Sequence, residues 1–186
     1  MTVLAIYPEQ GGNAPKIIKH PQKISAELIK EGVLFEQWQA SQPLAAEATQ
    51  EQIISAYQGA VDRLMNKYNF QSVDVISLTP DHPEKEGLRN KFLSEHTHSD
   101  FEVRFFVEGR GLFYIHVNGQ VYGLMCEAGD LISVPDNLPH WFDMGENPSF
   151  KCIRLFTTPE GWVANYTDNP IAAGFPSFER FLGQFL

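Results

Sequence analysis

Between His96 and Glu102 the chain reads HTHSDFE. His96 and His98 stand two apart, so on an extended strand both imidazoles leave the same face. Glu102 lies four beyond His98, an even offset that keeps its carboxylate on that face if the segment stays extended. Two imidazoles and a carboxylate aimed into one space suit a divalent transition metal. A second stretch, GDLISVPDNLPH, ends on His140 and supplies a fourth candidate donor. Three neutral imidazoles and one carboxylate favour iron(II), nickel(II), manganese(II) or cobalt(II) over calcium or magnesium, which prefer all-oxygen shells. Four protein donors on an octahedral ion leave two positions, enough for a bidentate substrate. Arg104, two after Glu102, should share the inward face, and an arginine buried in an apolar interior needs an anionic partner. Glu95 and Asp100 flank the candidate ligands and are placed to accept hydrogen bonds from imidazoles. Phe142 follows His140 by two and Phe92 keeps step with His96, so both can wall a substrate. Trp162 falls in a loop suited to a lid. His20, His82 and His116 lack any partner pattern and read as ordinary.

The elements that must position these residues are mostly short strands. TVLAIY reads as a strand closed by Pro8 and the Gly11-Gly12 pair. About Ser25 to Glu31 reads as a short helix stopped by Gly32, and LFEQWQ alternates as a half-buried strand does. The clearest helix starts at Thr49, capped with Gln52 three later. Ile53, Tyr57, Val61, Leu64 and Tyr68 give it an apolar stripe that should pack on the outside of a barrel. SVDVISLTP resumes strand character and closes at Pro80. From Phe92 the chain reads as strands EVRFFVEG and GLFYIHVN joined by a turn at Gly109-Arg110-Gly111. GLFYIHVN and QVYGLMCE then meet in a hairpin at Asn118-Gly119. DLISVP, HWFDMG and FKCIRLF complete an antiparallel set, and a short helical stretch lies near Phe178–Leu182. Strands at this spacing predict a mainly β protein with flanking α, an antiparallel jelly-roll barrel.

Two motifs carry a resemblance. H-x-H-x-x-x-E-x6-G matches His96, His98, Glu102 and Gly109, and G-x5-P-x-G-x-x-H matches Gly129, Pro135 and His140. Both are similar to the motifs of the cupin superfamily. Asn137 replaces the second motif's Gly, and Asn90 stands where the first usually opens with Gly; Asn tolerates the left-handed backbone of a tight turn. The wider context, HTHSDFEVRFFVEGRGLFYI and then PHWFDMG, resembles the acireductone dioxygenase family of methionine salvage, densely from about Phe92 to Trp162. The resemblance implies His96, His98, Glu102 and His140 as ligands of one iron(II) or nickel(II) ion per chain. It implies Arg104 as the catalytic stabiliser of a substrate dianion, and roles for Glu95 and Asp100 in metal incorporation and in relaying local changes. The implied substrates are O2 and 1,2-dihydroxy-5-(methylthio)pent-1-en-3-one. With iron the products would be 4-methylthio-2-oxobutanoate and formate; with nickel, 3-(methylthio)propanoate, formate and carbon monoxide. Two alternatives are another metal-dependent cupin dioxygenase or isomerase acting on an enediol or diketone, and a non-catalytic cupin that binds a small molecule.

Length and composition agree with one enzyme domain. The chain has 186 residues, enough for a sizeable core, and is read as one domain over 1–186. Within it, 1–90 is an N-terminal elaboration, about 91–157 the metal-binding barrel core, and 158–186 a tail. A formal charge of −9 argues against nucleic acid and anionic membranes as partners. The two cysteines, Cys126 and Cys152, sit in apolar strand-like runs and read as buried thiols of a reducing compartment. No leader or membrane-spanning run is evident, so the expectation is a cytoplasmic monomer.

Overall fold

A computed structural model describes residues 1–11 and 14–186, so Gly12 of the expected strand stop lies outside the described residues. The strands are β1 (Val3–Pro8), β2 (Lys16–Ile18), β3 (Leu34–Gln37), β4 (Ser72–Leu78), β5 (His96–Thr97), β6 (Glu102–Val117), β7 (Gln120–Glu127), β8 (Asp130–Val134), β9 (His140–Asp143), β10 (Phe150–Phe156) and β11 (Asn165–Tyr166). The helices are α1 (Pro21–Leu28), α2 (Gln50–Ala56), α3 (Gln58–Tyr68), α4 (Lys85–Leu93) and α5 (Phe178–Phe185).

β6 is the strand around which the two faces of the barrel form. Its first half pairs with β10 and β8, its second half with β7 and β9, all antiparallel. One face runs β11-β5-β9-β6-β7-β1-β2, and the other adds β4 beside β10 and β3 beside β8. The expected turn at Gly109-Arg110-Gly111 is instead a bend within one 16-residue strand. Gly109 has φ +71° there, and a Cβ on it would run into the Ser149 carbonyl. Opposite the bend, Cys152 faces Phe106 while Lys151 faces Glu108, leaving Val107 as the extra residue of a bulge. The slip reverses parity. Before it the even-numbered Glu102, Arg104 and Phe106 look inward; after it Phe113 and Ile115 do, joining Phe106 in the interior cluster. A single strand thereby lines the inside of both faces.

The inward side chains meet in a core of aromatic and aliphatic residues that includes Cys126 and Cys152, both free and buried. Outside the barrel, Val103, Phe105 and Val107 pack under Ile53, Tyr57, Val61 and Leu64 of α2 and α3. Thr49 and Gln52 form the expected capping box. The expected single helix breaks at Tyr57 (φ −110°), whose backbone ends α2 and starts α3. α1 begins four residues before the expected start because Pro21 suits the first helical position, and Gly32 ends the following turn at φ +76°. Asn118 and Gly119, at φ +50° and +72°, make the β6–β7 hairpin as expected. α5 covers the other face, its Phe181 packing in one cluster with Tyr114 and Trp141. The division at residue 90 does not follow the sheet. β1, β3 and β4 each pair with barrel strands, because a jelly roll closes through long-range ladders. No helix among the described residues is long and apolar enough to cross a membrane.

Candidate metal centre

β5 and β9 are the elements that bring two imidazoles together: His96 stands directly opposite His140. His98 follows β5 just before a bend at Ser99 and Asp100, and Asn137, at φ +57°, donates its backbone N–H to the His98 carbonyl at 2.8 Å. The segment from His98 to Phe101 is not extended, so the even offset does not deliver Glu102. Its carboxylate arrives as the first residue of β6, from the other face of the barrel, with Arg104 two residues on.

The ligating nitrogens of His96, His98 and His140 lie within 4.8 Å of one another, all buried. Glu102 Oε2 is 3.7 Å from His98 Nε2 and 3.9 Å from His140 Nε2. Each imidazole spends its Nδ1–H on a backbone carbonyl: His96 on Ser94 (2.7 Å), His98 on Val163 (2.9 Å) and His140 on Leu138 (2.8 Å). Nε2 of each ring then carries the lone pair. Burial holds His96 down to about 4 and His140 down to about 3, so both rings are neutral at pH 7. Burial would raise Glu102, but the positive charge of the Arg104 guanidinium, with that of Arg154, outweighs it and holds the carboxyl at about 2. His98 Nε2, His140 Nε2 and Glu102 Oε2 are all buried without a hydrogen-bond partner among the described residues. A carboxylate oxygen facing imidazole lone pairs in a dry interior is strongly unfavourable unless a cation sits between them. The donor set, nitrogen-rich with one carboxylate, fits a divalent transition ion.

Arg104 is buried at 2 % exposure. Its Nε donates to Glu102 Oε1 at 2.9 Å, and its guanidinium lies 5.1 Å from the ring centres of both Phe113 and Phe142. The Phe113 ring also lies face to face with His140, centres 5.3 Å apart. Arg104, His96 and His98 open on a cavity of about 630 Å³, which Phe92 and Trp162 also line. Phe142 does not line it. It is fully buried and packs beneath Arg104, so its contact is with the guanidinium rather than with the cavity. Trp162 is 54 % exposed at the rim.

Glu95 and Asp100 touch none of the three imidazoles, because backbone carbonyls already take those Nδ1–H groups. Glu95, although buried, bonds His116 Nδ1 (2.7 Å) and accepts from Thr167 Oγ1 (2.6 Å). Asp100 accepts from Phe101 N, Thr157 Oγ1 and the N–H and hydroxyl of Thr158. Together with the β5–β11 ladder, these contacts fasten residues 157–167 as a strap across the metal-binding segment.

His116, read from sequence as ordinary, therefore holds a buried carboxylate beside His96. Arg154 was also unforeseen. It stands opposite Arg104, lines the cavity, and is paired with Asp74 at 2.7 Å. Its step of two from the interior Cys152 was the available signal. The cavity's further walls are Ile76 and Leu78 of β4, a strand that was expected but not placed at the site, and Leu88 of α4, a helix that was not expected.

The ARD/ARD' family model matches residues 4–164. Acireductone dioxygenase of Aquifex aeolicus (strain VF5) is 62 % identical over 97 % of this chain and 98 % of its own. That of Methylococcus capsulatus (strain Bath) is 56 % identical over the full length of both. Among solved structures, acireductone dioxygenase from Bacillus anthracis, with a cadmium ion in its active center, superposes with a TM-score of 0.79 at 34 % identity, covering 89 % of this chain and 98 % of that one. Matched along nearly its whole length in sequence and in fold, this chain belongs to the ARD/ARD' family.

Proposed function

We propose that the chain is a metal-dependent dioxygenase that cleaves 1,2-dihydroxy-5-(methylthio)pent-1-en-3-one, an acireductone, with O2 in methionine salvage. The observation that carries this is the set of three buried, unpartnered donors, His98 Nε2, His140 Nε2 and Glu102 Oε2, beside an inward arginine at a cavity. His96, His98, Glu102 and His140 would hold one iron(II) or nickel(II) ion. Bound there, the ion would act as a Lewis acid and template for the two enediolate oxygens.

The protein's own contribution is positioning and charge. Arg104 keeps one N–H on Glu102, and its remaining N–H groups are free to donate to adjacent enediolate oxygens in the cavity. Glu102 (−1), a divalent ion (+2), Arg104 (+1) and a substrate dianion (−2) sum to zero. In a site this dry, the neutral sum favours the dianion, the form electron-rich enough to react with O2. Asp74 neutralises Arg154, so the second arginine leaves that balance unchanged. Phe113 and Phe142, whose ring centres are 6.0 Å apart, pack together against the Arg104 guanidinium. Phe92 walls the cavity, and Trp162 stands over its mouth on the strap.

Iron would direct the reaction to 4-methylthio-2-oxobutanoate and formate, nickel to 3-(methylthio)propanoate, formate and carbon monoxide. The chain would work as a single-domain monomer in the cytoplasm, with no nucleic-acid or membrane partner. Oxygen uptake and product analysis with acireductone test the proposal, using protein loaded with one metal at a time. Carbon monoxide is expected from the nickel preparation alone. Identical products from both would overturn the assignment of outcome to metal, and no oxygen uptake from either would overturn the function.

A further inference from the structure

His96 and His140 belong to two segments, and one ion pair joins those segments at their other ends. α4 leads straight into the first: it ends at Leu93, and the carbonyl of the next residue, Ser94, accepts the Nδ1–H of His96 at 2.7 Å. β9 is the second: it opens on His140, opposite His96, and closes on Asp143. Arg89 of α4 reaches across to that closing residue. Its Nε donates to Asp143 Oδ1 at 2.9 Å and its Nη2 to Oδ2 at 3.2 Å, a two-pronged grip on a carboxylate buried at 1 % exposure. Asp143 also accepts from the backbone N–H groups of Gly145 (2.9 Å) and Phe178 (2.8 Å), which fix it at the junction of β9 and α5. Two more carboxylates face Arg89, Glu179 at 3.4 Å and Glu146 at 3.9 Å. Little else holds α4. Among the described residues, none of the helix is fully buried. Leu88 and Phe92 rest half-buried on the core, and the Tyr166 hydroxyl donates to the Lys91 carbonyl at 3.4 Å. A nine-residue helix with Gly87 inside it does not persist on propensity alone.

We infer that Arg89 is a positioning residue of the metal centre: by gripping Asp143 it fixes α4, and through the Ser94 carbonyl it sets the His96 ring against His140. The inference rests on the proposed reading of His96 and His140 as metal ligands. Without the grip, α4 is free to shift on β9, and Ser94 moves with it. His96 then loses the fixed acceptor that aims its Nε2. Partners that orient a ligand in this way are worth about ten- to a hundredfold in metal affinity or activity. Charge alone does not replace the grip. A lysine at this position would still neutralise Asp143, but only a planar fork spans both carboxylate oxygens and fixes a direction.

The test compares the full chain with Arg89→Met, Arg89→Lys and a control, Lys151→Met, which breaks the Lys151–Glu108 pair, an ion pair in which α4 takes no part. Cobalt(II) is the probe, because its visible spectrum reports coordination geometry. Three quantities are read: amide hydrogen exchange of Lys85–Leu93 in the cobalt-loaded protein, the cobalt spectrum, and the cobalt Kd by chelator competition. Arg89→Met should exchange the α4 amides about tenfold faster while the β6–β7 hairpin keeps its protection. It should also change the spectrum and weaken the Kd by about tenfold. Arg89→Lys should fall between parent and Arg89→Met. Lys151→Met should lower the melting temperature and leave all three quantities at the parent's values. Should Arg89→Met fail to fold, Arg89→Lys decides by the same readouts. Unchanged α4 exchange, or faster exchange with an unmoved spectrum and Kd, would overturn the inference alone. So would the same changes in Lys151→Met, since general softening would then explain them. A parent that binds no cobalt would overturn the proposed metal centre and the inference with it.

Discussion

At the scale of single residues, the chemistry depends on atoms that burial has stripped of alternatives. His96 and His140 are held at about 4 and about 3, against 6.5 for a free imidazole, with burial the leading cause for both. Between the folded and unfolded values, the unfolded chain therefore binds more protons than the folded one. Stability of the metal-free chain rises with pH across that window and is lost as pH falls through it. The melting temperature in chelator is expected to drop as pH is lowered from about 6.5 toward about 4; a flat profile would mean that the rings charge without cost in the folded state. Arg104 carries the second expectation. Arg104→Ala should keep its metal but lose on the order of a hundredfold in rate, as when a site's main electrostatic stabiliser is removed. Under anaerobic conditions the bound substrate should show the ultraviolet spectrum of the monoanion. A dianion spectrum with full turnover would reduce Arg104 to a structural partner of Glu102. These residues were legible in the sequence because donor type and spacing are local properties. Their hydrogen-bond partners were not: the acceptor for His98 is the carbonyl of Val163, 65 residues away.

At the scale of elements, local signals succeeded where local energetics decide. The capping box at Thr49 and Gln52 and the hairpin at Asn118-Gly119 form from their own residues, and both stand as read. Gly109-Arg110-Gly111 also gave a local signal for a turn, yet β10 pairs up to Gly109 and β7 from Arg110 onward, and the two ladders keep β6 whole. α4 escaped notice because Gly87 interrupts it and its few apolar residues, Leu88, Phe92 and Leu93, form no long stripe. The bend has its own test. Gly109→Ala would place a methyl group against the Ser149 carbonyl at a left-handed backbone position. The expected cost is about 2 kcal/mol or more, read from denaturant unfolding. A variant as stable as the parent would show that the bulge can relocate.

At the scale of the whole molecule, the jelly roll and its antiparallel texture were readable, while the contribution of the first 90 residues to it was not. Ladder partners lie too far apart for periodicity to reveal them. The proposed metal ligands come from both faces of the barrel, His96 and His140 from one and Glu102 from the other. An ion bound by the folded chain alone stabilises it by mass action, about 2.7 kcal/mol at a hundredfold excess over Kd. Chelation should lower the melting temperature accordingly, and re-addition of iron(II) or nickel(II) should restore it; no shift on chelation would place the ion outside the fold's closure. The long ladders bear equally on how the chain reaches its shape. Val3 finds its place opposite Met125, Leu34 opposite Ser133 and Ser72 opposite Phe156. During synthesis β1 emerges with only the short β2 to pair with, β3 and β4 with no strand partner yet made, and they wait, edges open, for the second half of the chain. The β6–β7 hairpin is the first large ladder that can close on itself, so refolding should be slow and should begin in the middle of the sequence.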